Sequence, residues 1–304
     1  LPHRSRRLLL LAAADPTGDP ALLCRAVEAL GIGADAAAAA VDGGLAEFDT
    51  RVWFRHPLAR SAVYRSAPTR DRQQAHQTLA EATDGRTDPD RRAWHRAQAA
   101  PGPDDDVADE LERSAGRARA RSGLAAAAAF LKQAATLTLD PERRADRALA
   151  AAQAKIQAGV FDVARALLDM AESGPLSEVQ HATADVIRAQ LAFNTSRGGE
   201  VPALLLNAAT RLEPIDSDRC REIYLDALLA AIFAARLAGP GGDVQEVARA
   251  AGAAPPPRRA PLARDLLLDG TAAGLHTGFA AGVPILRRAL AEFGVGMSTD
   301  EELR

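Results

Sequence analysis

Apolar residues recur along this chain at three- and four-residue spacing, and only one short stretch alternates instead. Arg4–Ala14, Pro20–Leu30 and Ala34–Val41 read as helices. Asp19 supplies an N-cap, Gly31 a C-terminal stop, and Gly43-Gly44 ends the third segment. Leu45–Phe48 and Val52–Phe54 are the predicted strands, separated by Asp49-Thr50-Arg51 at hairpin length. A helix then opens at Pro57, with proline at the first helical position where a missing N–H costs nothing. Leu58, Ala62 and Val63 form its apolar side, from which Arg60 and Arg65 fall away. A further helix runs from Pro68 to about Ala82.

Beyond Asp88 the strand signal disappears. Asp88-Pro89 starts a helix carrying Ala93-Trp94-His95-Arg96-Ala97, and the acidic turn Pro101–Asp106 leads into Val107–Arg121. Gly159, Gly199, Gly239 and Gly278 then recur every 39 or 40 residues, each between two helical stretches. Helix starts follow the prolines at 141, 175, 214 and 257. The unit is helix, glycine turn, helix, as in Pro141–Ala158 with Val160–Glu172, or Pro175–Asn194 with Val201–Leu212. Ala148, Ala151, Ala152 and Ala158 permit close approach, while Leu149, Ile156, Phe161, Leu167 and Leu168 fill the seam. One helix pair cannot bury both faces, so neighbours must stack into a solenoid. Ala253–Arg259, rich in proline and arginine, reads as a loop within that array.

The expected fold is mainly α. A winged-helix-like module spans 1–85, and a tetratricopeptide-like α-solenoid spans 86–304, clearest over 122–293. With 304 residues, two or three units are expected. Aromatics are only 4% of the chain, so the cores should be helix contacts sealed by Leu, Ala and Val. A net charge of −3 gives no global drive toward nucleic acid or an anionic membrane. Cys24 and Cys220 stand apart on apolar helical faces and read as buried thiols in a reducing compartment. Leu8–Ala14 is too short to span a bilayer and is closed by Asp15-Pro16, so a cytoplasmic protein is expected. The first residue is Leu1, and a new helix start is read at Ser298 just before the last residues, so a fragment of something longer is expected.

Catalytic motifs are missing. A phosphate-cradling loop needs lysine directly after glycine, but Lys132 follows Leu131 and Lys155 follows Ala154. Gly31–Ala36 resembles a dinucleotide fingerprint, yet it follows a helix and reads better as a helix stop and restart. The histidines at 3, 56, 76, 95, 181 and 276 show no metal-binding spacing, and Asp104-Asp105-Asp106 reads as a solvated turn before a helix. No serine or cysteine has a recognisable base partner, so no enzyme activity, cofactor or metal is expected within this chain. Trp94 and His95 read as packing residues. Arg51, Arg55, Arg60, Arg65, Arg70 and Arg72 give one local basic bias, open to three readings: phosphate contact with DNA, a solvated helix, or an interface with a nucleotide-binding neighbour.

Several segments together resemble a family. Phe54–Tyr64, Ala75-His76-Gln77-Thr78-Leu79-Ala80, Arg92–Ala97, Leu124–Leu137 and Asp265–Gly270 occur in the order found in the middle of large ATP-binding regulators of the LuxR type. These are signal-transducing ATPases with numerous domains, relatives of the maltose regulator, and the resemblance covers nearly the whole chain. It implies an N-terminal ATPase, a winged helix, a helical-repeat sensor and a promoter-binding C-terminal helix-turn-helix, of which only the middle two lie here. In the wider class a winged-helix Met-His-Asp motif sets its histidine on the phosphate of bound ADP. His56 is the matching position, flanked by Arg55 and Pro57 in place of Met and Asp.

The resemblance implies a regulatory and sensor segment of an ATP-dependent transcription activator, with ATP or ADP held by the parent protein. The implied partners are the protein's own ATPase and DNA-binding domains, and a small-molecule or protein effector on the repeats. DNA would be reached only through the missing C-terminal domain, and no membrane is involved. Two other classes fit the residues: a stand-alone helical-repeat interaction scaffold, and a winged-helix DNA-binding protein.

Overall fold

Polar caps and glycine stops divide the N-terminal residues into three short helices, α1 (His3–Ala14), α2 (Pro20–Ala29) and α3 (Asp35–Asp42). The structure is a computed structural model describing residues 1–33, 35–195 and 199–296. The expected helix start at Ser298 lies outside the described residues, as does Ala34. Asp19 caps α2 by accepting from the backbone N–H groups of Ala21 and Leu22. At its other end the Ile32 N–H reaches back to the Val27 carbonyl at 3.1 Å, the bond of a glycine-closed helix end. Gly31, with φ +61°, therefore closes α2, and α3 begins at Asp35.

The chain forms two units, Leu1–Asp140 and Pro141–Arg304. In the first, α1 is enclosed: Leu8 through Ala14 are all buried, because α2, α3, α4 (Pro57–Ser66) and α5 (Thr69–Ala82) all pack on it. The hairpin forms as expected from β1 (Ala46–Phe48) and β2 (Val52–Phe54), antiparallel with Glu47 opposite Trp53. Helices α6 (Pro89–Ala99), α7 (Asp105–Ala120) and α8 (Leu124–Leu137) complete the unit, each packed on the next, and α6 packs on α5. The expected division at residue 85 thus falls inside this unit, between two packed helices. Asp104 caps α7 by accepting from the Val107 N–H, which accounts for the acidic turn.

Two expectations fail here. Helix α4 buries no residue, and of the three residues read as its apolar side Leu58 and Ala62 face solvent, with Leu58 70% exposed, while Val63 packs inward. The inward side is Arg60, Val63, Tyr64 and Ala67, at helical spacing, with the Arg60 Nε donating to the Ala13 carbonyl at 3.0 Å. An arginine stem with one satisfied donor fits that seam better than Leu58 does. Cys24 is exposed, since Leu22, Leu23 and Ala26 take the inner face of α2; only Cys220 is buried, which pushes its thiol up to about 12.

The second unit contains four helix pairs: α9 (Pro141–Gln157) with α10 (Phe161–Glu172), α11 (Glu178–Thr195) with α12 (Val201–Leu212), α13 (Ser217–Ala234) with α14 (Val244–Gly252), and α15 (Ala263–His276) with α16 (Phe279–Gly296). Gly159 turns the first pair with φ +72°, a conformation open to glycine at little cost. Ala148, Leu149, Ala151, Ala152, Leu167 and Leu168 seal that pair, while Ile156 and Phe161 are only half-buried. Helix α15 starts at Ala263 rather than just after Pro257. The intervening residues form no helix; prolines interrupt them, and they are tied down by bonds from Arg221 to the Pro255 carbonyl and from the Arg258 N–H to Asp218. In the last pair the helices touch backbone to backbone. A Cβ at Gly282 would sit 2.4 Å from the Gly270 carbonyl oxygen.

A buried ionic knot ties α13 to α15. Arg221, 4% exposed, donates to Asp265 at 3.0 Å and to Asp269 at 2.6 Å, and Arg259 donates to the second Asp265 oxygen at 2.8 Å. Burial works against the Asp265 charge, but bonds from the Leu262 N–H, Arg259 and Arg221 outweigh it and hold the carboxyl below its usual range. Among the described residues no helix is long and apolar enough to cross a membrane.

Candidate functional site

His56 sits where β2 hands the chain to α4. Its backbone is extended, its ring is the N-cap, and its Nδ1 accepts the Leu58 N–H at 3.1 Å. A nitrogen that accepts cannot carry the proton of a neutral imidazole, so that proton is placed on Nε2. The ring is exposed, beside exposed Trp53 and Leu58. The junction therefore offers an N–H donor at the positive end of a helix, an arrangement suited to an anion.

The arginines around it are mostly occupied. Arg51 donates to the Thr17 carbonyl, Arg55 pairs with Glu47 at 2.9 Å, Arg60 holds Ala13, and Arg72 holds the Ala67 carbonyl at 3.1 Å. Arg72 also lies 5.6 Å from the Tyr64 ring centre. Among the described residues only Arg65 and Arg70 of the six carry no such contact. The local basic bias thus braces the module from within.

Behind the junction lies a buried chain of three rings. Tyr64 on α4 meets His76 Nε2 at 2.8 Å, and His76 Nδ1 on α5 meets His95 Nδ1 on α6 at 2.9 Å. His76 and His95 are 2% and 0% exposed, and His95 Nε2 has no partner. Each contact holds one proton, so two neutral arrangements are available: Tyr64 donates to His76 and His76 to His95, or His95 donates to His76 and His76 to Tyr64. Burial first, then the repulsion between protons on His76 and His95 and the charge of Arg72, lowers His76 to about 4. Burial likewise lowers His95 to about 4; Arg91 adds to the effect, while Asp15 and Asp88 oppose it. The pair is neutral at ordinary pH.

A cavity of about 660 Å3 opens between α1 and the α4–α5 elbow. Its floor is Leu9, Leu10, Leu11, Val63 and Ala75, and its rim carries His3, Arg6, Arg7 and Asp71. Sequence reasoning named His56, Trp94 and His95 individually. It did not anticipate the ring chain or the cavity, because both join residues from helices separated by turns of unpredictable angle. The residue pattern held one cue to the chain: His76 lies among Ala75, Leu79 and Ala80, and His95 between Ala93 and Ala97, all of them buried. Trp94 packs edge-on against Phe130, ring centres 6.1 Å apart, as a seam residue. Among the described residues no group of three or more His, Cys, Asp or Glu could hold a metal ion.

Comparison with known proteins returns no matching family model, no matching curated protein and no matching solved structure.

Proposed function

We propose that this chain is the regulatory and sensor segment of an ATP-dependent transcription regulator of the LuxR type, cytoplasmic and without enzymatic activity of its own. In this reading α1–α5 and the hairpin are a winged-helix-like module, and the helix pairs are tetratricopeptide-like repeats that bind an effector or partner protein. His56 donates its Nε2 proton to an ADP phosphate held by the ATPase domain of the same protein. The observation that carries the reading is the capping bond at 3.1 Å, which fixes that proton on the free face of an exposed ring. Departure of the phosphate is felt by α4, and Tyr64, His76 and His95 couple α4 to α6. ADP then favours a closed form, and ATP with effector an open, self-associating one.

In the full-length regulator, His56→Ala is expected to weaken ADP retention about tenfold, the loss of one charge-assisted bond, and to raise basal activation. Unchanged ADP affinity with unchanged basal output refutes the assignment. A stand-alone interaction scaffold is the second reading, favoured by the exposed Phe193, Phe233, Phe279 and Leu290 of the helix pairs. A winged-helix DNA-binding protein is disfavoured because four of its six arginines are engaged internally. It predicts that the isolated chain binds duplex DNA with a steep salt dependence.

A further inference from the structure

We propose that the cavity between α1 and the α4–α5 elbow is a binding site for a small amphipathic anion, an organic carboxylate or sulfonate with an apolar body. Its volume, about 660 Å3, lies within the range that encloses small ligands. The least exposed lining residues are apolar, with Leu10 of α1, Val63 of α4 and Ala75 of α5 among them, while the polar Ser66 and Gln74 are exposed. The charge is at the rim. Arg6 and Arg7 stand one turn before Leu10 and Leu11, so one face of α1 supplies both the cationic rim and the apolar floor.

Among the described residues neither guanidinium carries an ion pair. Asp71, on the same rim, is paired with neither of them. The balance is two permanent positive charges against one negative. An anionic head at the mouth would meet two planar donors and an apolar tail would meet leucine. A cationic head would meet repulsion.

The site also has a route to the rest of the unit. Val63 and Ala75 line the cavity, and the next residue along the chain in each case, Tyr64 and His76, belongs to the buried ring chain. An occupant that shifts the elbow therefore shifts the contact that links α4 to α6. The site stands apart from the nucleotide reading, since His56 is not among its lining residues.

The test uses the purified chain and 8-anilinonaphthalene-1-sulfonate, followed by fluorescence and calorimetry, with dodecanoate, dodecanol and dodecylammonium as competitors. Saturable binding at one site is expected, with dodecanoate displacing the probe at least tenfold better than dodecanol and dodecylammonium failing to displace it. Arg6→Glu with Arg7→Glu should weaken probe binding at least tenfold, and Val63→Trp should abolish it by filling the floor. Asp71→Asn should tighten binding two- to fivefold, a gain that neither misfolding nor adhesion to exposed apolar surface produces. Circular dichroism and melting of each variant confirm that it is folded. Binding that is unsaturable, indifferent to head-group charge, or unchanged by the rim and floor variants overturns the proposal. None of these outcomes bears on ADP retention.

Discussion

The two units bury polar groups in opposite ways. In the first, burial suppresses the charge of His76 and His95, and with Tyr64 they form a chain ending at an unsatisfied His95 Nε2. In the second, buried Arg221 and Asp265 pair as ions, Arg259 and Asp269 complete the knot from its edge, and both Asp265 oxygens are bonded. A buried charge survives only where its partners are already in place, as in the knot. A buried imidazole can lose its charge instead and keep one proton to share. The first arrangement has two neutral proton placements; the second has one set of ion pairs that holds or breaks.

Breaking the knot should have the largest effect. Arg221→Leu leaves Asp265 buried beside a lost partner and should cost about 3–5 kcal/mol, read as an early loss in far-ultraviolet circular dichroism. Tryptophan emission should not follow it, because both tryptophans, Trp53 and Trp94, lie in the first unit.

Acid should reverse the order of failure. The folded pKa values of His76 and His95 are lowered to about 4, so the unfolded chain takes up protons first as pH falls below the ordinary histidine value. Stability of the first unit is full above about pH 6.5, and on the order of 3 kcal/mol per imidazole is lost on descending toward pH 4. Asp265 is shifted down from the ordinary carboxylate value, so its contribution is present above that value and is lost only at lower pH. Tryptophan emission should therefore signal unfolding near pH 4–5 before the knot opens. His76→Phe combined with His95→Phe should flatten this dependence; an unchanged slope would mean that other groups govern it.

The smallest effect tests the chain's outer link. Tyr64→Phe removes the hydroxyl that meets His76 at 2.8 Å and should cost about 0.5–1.5 kcal/mol in the first unit alone. A loss shared by both units would break the comparison.

The sequence made the helices and the hairpin readable because caps, prolines and glycines act within a few residues: Asp19, Gly31, Asp104 and Gly159 all do what their local chemistry requires. It made His56 visible because proline follows it at a helix start. It misread α4, where Leu58 and Ala62 mimic a core stripe while Arg60 and Tyr64 make the contacts. The ring chain needed three helices and the cavity needed two crossings, and crossing angles are set by packing rather than by spacing along the chain. Cys24 shows the same limit at one position: an apolar residue two places from a core leucine points the other way.

The order of the helix pairs in the second unit has a further consequence. Every substantial contact there joins helices that are adjacent or two apart in the chain, from α9 through to α16. Such a unit closes only short loops as it forms, so its folding should be fast and its opening should begin at the ends. Amide protons of the central pairs, around Tyr224 and Leu228, should then exchange with solvent most slowly, and protection should decline outward in steps of one helix pair.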